Sequence, residues 1–121
     1  MAPVRVLVVE DEPDLCDLIQ RHLRRLGYEA AGAKSAGEAL EIIQNDSRGF
    51  SRFLVDLSLP DMPGDELAER ILRAQPSAKI LLTSGYALPA AIRVKSERVS
   101  FLQKPFPPKR LEEALKVLSE D

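Results

Sequence analysis

Phe53-Leu54-Val55-Asp56-Leu57-Ser58-Leu59-Pro60 decides the fold. Apolar residues flank one acid on both sides, and only a strand covered on both faces tolerates so continuous a run. Pro60 stops that strand, and Asp61-Met62-Pro63-Gly64 reads as the loop that follows. Asp56 therefore stands where a core strand reaches the surface. A carboxylate there costs free energy unless something compensates its charge, which directs attention to the ends of the other strands.

Upstream, Val4 to Val9 reads as a second buried strand, ending in Glu10-Asp11-Glu12. Pro13 suits the first turn of a helix, with Asp11 or Glu12 placed to meet its orphan amides. Leu15, Leu18, Ile19, Leu23 and Leu26 repeat at helical spacing, and Gly27 ends the helix. Tyr28 to Ala33 carries a weak strand signal. Ser35-Ala36-Gly37-Glu38 is a capping box before the apolar face of Ala36, Ala39, Leu40 and Ile43.

Downstream, Leu67, Ala68, Ile71 and Ala74 predict a third helix closed by Pro76, and Ala78 to Leu82 a strand running into Thr83-Ser84-Gly85. Between 87 and 98 a short helix at Ala90 to Val94 is opposed by Pro89 and the polar Lys95-Ser96-Glu97-Arg98. Val99 to Gln103 is a fifth strand, followed by Lys104-Pro105. Leu111, Ala114, Leu115 and Leu118 predict the final helix.

This β-α alternation predicts a parallel sheet with right-handed crossovers, covered on both faces. In such sheets the ligand crevice lies beyond the carboxyl ends of the strands. Glu10, Asp11, Asp56, Thr83, Ser84 and Lys104 all fall there. Carboxylates that close repel by about 4 kcal/mol per pair at intermediate dielectric. A hard divalent cation relieves this, and Mg²⁺ needs only one or two direct carboxylates. With an ammonium and a hydroxyl added, the set can hold a phosphoryl group. An aspartate can itself be the nucleophile, forming an acyl phosphate.

Composition narrows the classes. The 121 residues form one domain, 1–121, long enough to bury about two thirds of the unfolded surface. Net charge is −2 without a basic stripe, which speaks against nucleic acid and anionic membranes as partners. Apolar stretches are too short to span a bilayer, and the start lacks the apolar segment of a signal peptide. The single cysteine, Cys16, reads as a small hydrophobe and fits a cytoplasmic location. Arg21, Arg24 and Arg25 form a solvated helix face, His22 is a boundary or core histidine, and Tyr86 is an exposed loop aromatic.

Four motifs at successive strand ends carry a resemblance. Val9-Glu10-Asp11-Glu12, Asp56-Leu57-Ser58-Leu59-Pro60-Asp61-Met62-Pro63-Gly64, Leu81-Leu82-Thr83-Ser84 and Leu102-Gln103-Lys104-Pro105-Phe106 are similar to the receiver domain of two-component response regulators. The resemblance covers essentially the whole chain. It implies a flavodoxin-like, doubly wound (βα)5 sandwich whose five-stranded parallel sheet has the order 2-1-3-4-5. It also implies a signalling switch rather than an enzyme acting on an external metabolite.

By the same resemblance, Asp56 receives a phosphoryl group from a histidine kinase or a histidine phosphotransfer domain. Asp11 and Asp56 bind Mg²⁺ directly, the Ser58 carbonyl is a third ligand, and Glu10 acts through water. Thr83 bonds the phosphoryl oxygen and Lys104 pairs with it, in a Lys-Pro bond that is usually cis. Phe101 occupies the place of the aromatic that swings inward as Thr83 moves. A downstream protein or a second copy docks on the face made by the segment 87–98, the fifth strand and the final helix. The chain's end after that helix implies no output domain: a free-standing regulator, or a receiver excised from a hybrid histidine kinase.

The sequence departs from the family pattern in three places. Glu10 replaces the commoner Asp, Pro63 stands where many members carry Asp or Asn, and Glu97-Arg98-Val99-Ser100 replaces the usual Ala-Gly-Ala. Two rival readings differ at named positions. An aspartate-nucleophile phosphatase typically has a second acid two residues after the nucleophile, and here that residue is Ser58. A degenerate receiver, acting only as a binding module, usually loses an acid or the lysine, and this chain keeps them all.

Overall fold

The computed structural model describes residues 3–86 and 97–119. The strands are β1 (Arg5–Val9), β2 (Glu29–Ala33), β3 (Arg52–Asp56), β4 (Lys79–Ser84) and β5 (Val99–Gln103). The helices are α1 (Pro13–Arg25), α2 (Ala36–Asn45), α3 (Gly64–Ala74) and α4 (Pro108–Ser119). All strand pairs are parallel, and the sheet order is β2-β1-β3-β4-β5. The short helix weighed at Ala90 to Val94 lies outside the described residues.

Strand periodicity sorts the apolar side chains into two cores. Leu7, Val9, Phe53, Val55, Ile80 and Leu82 face α2 and α3, where Ala36, Ala39, Leu67, Ala68 and Ile71 meet them. Val6, Val8, Leu54 and Leu81 face the other way, onto Cys16, Ile19 and Leu23 of α1 and Leu111, Leu115 and Leu118 of α4. Continuous hydrophobicity in β1, β3 and β4 is thus the imprint of two covered faces. Burial of each such side chain stabilises the fold by about 1.5–3 kcal/mol.

Three local readings need correction. Leu18 is 60% exposed, because the buried stripe of α1 runs through Cys16, Ile19 and Leu23. Among the described residues neither Asp11 nor Glu12 caps α1: the N-cap, Glu12, makes no side-chain capping bond and instead donates its amide to Glu10 Oε2 at 3.1 Å. In the capping box Ser35 Oγ accepts from the Glu38 amide at 3.1 Å, but Glu38 reaches back to the amide of Lys34 rather than Ser35, at 3.4 Å.

At the opposite end of the sheet from the crevice, Arg5 anchors four neighbours. Its guanidinium grips both oxygens of Asp46 at 2.9 and 2.6 Å, meets Glu29 at 3.0 Å, donates to the Gly49 carbonyl at 2.6 Å and lies over the Phe50 ring at 4.3 Å. The Arg5 bond holds the Asp46 carboxyl at about 2, against burial, helped by the amides of Arg48 and Gly49. A carboxyl depressed on folding contributes stability that is complete above its unfolded value of 3.8 and is lost as pH falls through about 2. Urea unfolding from about pH 5 to about pH 2 is expected to show a steeper loss for the wild-type chain than for Asp46→Asn. Parallel curves would remove Asp46 from the acid response.

Candidate functional site

Parallel register gathers the crevice. Val9 pairs with Val55 and Asp56 with Thr83, so the end of β1, the end of β3 and the upper part of β4 lie side by side. Leu57 continues the ladder by donating to the Thr83 carbonyl at 2.8 Å, and Lys104 donates its amide to Ser84 at 2.7 Å. Glu10, Asp56, Thr83 and Lys104 thus emerge on one edge, beside the point where the chain turns from β2-β1 to β3-β4-β5.

Glu10, Asp11 and Asp56 each offer a carboxylate oxygen, and the three atoms lie within 4.8 Å of one another. Asp11 is exposed at the rim, whereas Glu10 and Asp56 are only 1% and 4% exposed. Lys104 Nζ bridges the buried acids, at 2.5 Å from Glu10 Oε1 and 3.4 Å from Asp56 Oδ2. The second Asp56 oxygen accepts from the Ser58 amide at 3.2 Å. The Lys104–Pro105 bond is cis.

Burial raises the Glu10 carboxyl, and the nearby Asp56 charge adds to this, outweighing the Lys104 hydrogen bond and the Glu12 amide. Lys104 is itself pulled down by burial, but its bond to Glu10 and the charges of Glu10 and Asp56 leave it net raised. Among the described residues Lys104 thus meets two of the three clustered carboxylates. A hard divalent cation fits this all-oxygen donor set. Buried Thr83 Oγ1 makes no hydrogen bond among the described residues and stands opposite Asp56 in register. That is an unspent donor beside the acid.

Other expected residues lie apart from this group. Phe101 pairs with Leu82, two positions below the crevice edge, and packs half-buried on the α2–α3 core. Ser84 is buried, and its hydroxyl accepts from the Tyr86 amide at 3.1 Å, shaping the turn. Tyr86 is 78% exposed. His22 is half-buried, its Nε2 without a hydrogen-bond partner among the described residues, and Cys16 is core.

Two residues beside the site were read in the sequence only as part of the loop after the strand. A Cβ on Gly64 would come within 2.1 Å of the Asp56 carbonyl oxygen and 2.7 Å of Leu57 Cα, so α3 begins against the backbone of the acid itself. Gly at a helix's first position, where it has no conformational advantage, was the available signal. Asp61 accepts from the Ala36 and Gly37 amides at 2.9 and 2.8 Å, which holds its carboxyl below the ordinary value. Nothing in Pro60-Asp61-Met62-Pro63 distinguishes it from an ordinary loop acid.

Fold and crevice together define a doubly wound α/β domain with an acidic, lysine-bridged pocket at its switch point. The chain belongs to the response regulator receiver domain family, whose model matches residues 6–116. It is 30% identical over 118 residues to the chemotaxis protein CheY of Thermotoga maritima, covering 95% of this chain and 97% of that one. It is also 33% identical over 117 residues to the sensor kinase CckA of Brucella abortus, spanning 95% of this chain but only 12% of that kinase. Among solved structures, a CheY-like receiver domain protein of Methanospirillum hungatei superposes with a TM-score of 0.85 at 32% identity, covering 95% and 92% of the two chains. The response regulator TrrA of Thermotoga maritima, in complex with Mg²⁺-BeF, gives 0.83 at 29% identity, covering 95% and 98%.

Proposed function

We propose that this receiver is a Mg²⁺-dependent phosphoacceptor, with Asp56 as the residue phosphorylated by a histidine kinase or histidine phosphotransfer domain. The observation that carries the reading is the arrangement of Asp56: two further carboxylates within 4.8 Å, an ammonium at 3.4 Å, and an unspent buried hydroxyl in register. The TrrA relative, solved with Mg²⁺-BeF, supports it.

Asp11 and Asp56 would hold Mg²⁺ with the Ser58 carbonyl, and Glu10 through water; the bound ion supplies charge neutralisation at the transferring phosphoryl group. An Asp56 oxygen forms the new bond to phosphorus as the phosphorus–nitrogen bond of the donor imidazole breaks. Lys104 and Thr83 supply an ammonium and a hydroxyl to the oxygens where charge gathers. For this, Lys104 shares its ammonium between Glu10 and the phosphoryl oxygens.

The added charge then biases a pre-existing equilibrium. The Thr83 hydroxyl turns towards the phosphoryl group, Phe101 follows, and a downstream protein or a second copy reads the face that includes β5 and α4. Ser58 stands where an aspartate-nucleophile phosphatase carries its second acid, which speaks against turnover of external phosphate esters.

Intact mass after incubation with acetyl phosphate tests this. One phosphoryl adduct is expected in the wild-type chain only with Mg²⁺, and none in Asp56→Asn. An adduct that persists in Asp56→Asn, or that ignores Mg²⁺, contradicts the reading.

A further inference from the structure

We propose that Asp61 is a positioning residue: by tying the β3–α3 loop to the start of α2, it holds Ser58 where its carbonyl completes the cation site. The inference rests on the reading of the crevice given above. The loop's root is closed tightly, by Leu57 N to Thr83 O at 2.8 Å, Gly64 N to Leu57 O at 2.9 Å and the Ser58–Pro63 bridge. Its tip has only two attachments among the described residues. Leu59 and Met62 pack partly buried on the α2–α3 core, and Asp61 takes the Ala36 and Gly37 amides.

Those two bonds serve the start of α2. Of its orphan amides, Ala36 and Gly37 bond Asp61 and Glu38 bonds Ser35 Oγ, while Ala39 makes the helix's first regular bond, to Ser35 O. Ser35 is local to the helix, whereas Asp61 comes from 24 to 25 residues away. Asp61 is exposed, so water could serve the same amides. What water could not supply is the tie between α2 and the loop. Pro60 and Pro63 bracket Asp61 and remove backbone freedom on both sides, so fixing one carboxylate fixes the segment that leads back to Ser58.

Ser35→Ala is the matched control, because it uncaps the same helix without touching the loop. Mg²⁺ affinity of the full chain, measured by isothermal titration calorimetry, is expected to fall about tenfold in Asp61→Ala. In Asp61→Asn, which removes the same charge but keeps one acceptor, the loss is expected to be intermediate. Ser35→Ala is expected to stay within about twofold of wild type while its melting temperature falls like that of Asp61→Ala. Unchanged affinity in Asp61→Ala overturns the proposal. So does an equal loss in Ser35→Ala, which would mean that helix stability alone is at work, or in Asp61→Asn, which would mean charge alone. A wild-type chain that binds no Mg²⁺ overturns the crevice reading itself, which separates the two failures.

Discussion

Gly64→Ala is expected to destabilise the domain by about 2 kcal/mol and to weaken Mg²⁺ binding by about tenfold or more. The new methyl group would meet the Asp56 carbonyl oxygen at 2.1 Å and Leu57 Cα at 2.7 Å, far inside the about 3.5 Å of an ordinary contact. Both obstacles are backbone, so no rotamer relieves the overlap. The start of α3 and the end of β3 must separate. Helix propensity favours alanine over glycine by about 1 kcal/mol in a helix interior, and less at its first position, so it cannot offset the clash. Separation carries Asp56 and Leu57 away from Thr83, which moves both the acid and the root of the Ser58 loop. Urea unfolding and a Mg²⁺ titration measure the two effects. A variant as stable as wild type with full Mg²⁺ affinity would show that the close approach is unimportant.

Lys104→Ala is expected to have a larger effect still, and its size depends on pH and on Mg²⁺. Glu10 is 1% exposed and would lose the ammonium at 2.5 Å, while Asp56 would lose the one at 3.4 Å. Removing one partner of a buried pair costs about 3 kcal/mol, towards the low end of the range because a fifth of the Lys104 side chain meets solvent. Burial already holds the Glu10 carboxyl above its ordinary value of 4.5, and loss of the ammonium raises it further.

A carboxyl raised on folding binds its proton more tightly in the native state, so stability falls as pH climbs from 4.5 through the raised value. The penalty of Lys104→Ala is therefore small at acidic pH and full above the raised value. Mg²⁺ is expected to restore more stability to the variant than to wild type, because the ion replaces the missing cation. Phosphoryl transfer is expected to slow by about a hundredfold even so, since the donor to the transferring oxygens is gone. A loss independent of both pH and Mg²⁺ would contradict this role for Lys104.

The strands and the crevice were legible because both follow from residue type along the chain. Val6 to Val9, Phe53 to Val55 and Ile80 to Leu82 are apolar on consecutive positions, and two covered faces are the only setting that allows it. Parallel pairing then aligns the strand ends without further information, so Glu10, Asp11, Asp56, Thr83 and Lys104 could be grouped before any distance was known. What escaped sequence reading are contacts between segments remote in the chain. Arg5 looks like an interruption of an apolar strand, yet it binds Asp46, Glu29 and Phe50 through pairings that only folding creates. Asp61 looks like a turn acid until α2 is brought beside it. Leu18 fits the helical spacing, but periodicity does not say how wide the buried stripe is.

The central claim is that Asp56 is the phosphoacceptor, and mapping the adduct tests it most directly. Borohydride reduces an acyl phosphate to an alcohol, converting a phosphorylated aspartate into homoserine, which peptide mass spectrometry locates in the chain. After exposure to acetyl phosphate with Mg²⁺, the account predicts homoserine at position 56 alone and none without Mg²⁺. Homoserine at position 11 instead, or a phosphoryl group retained on His22, would contradict it.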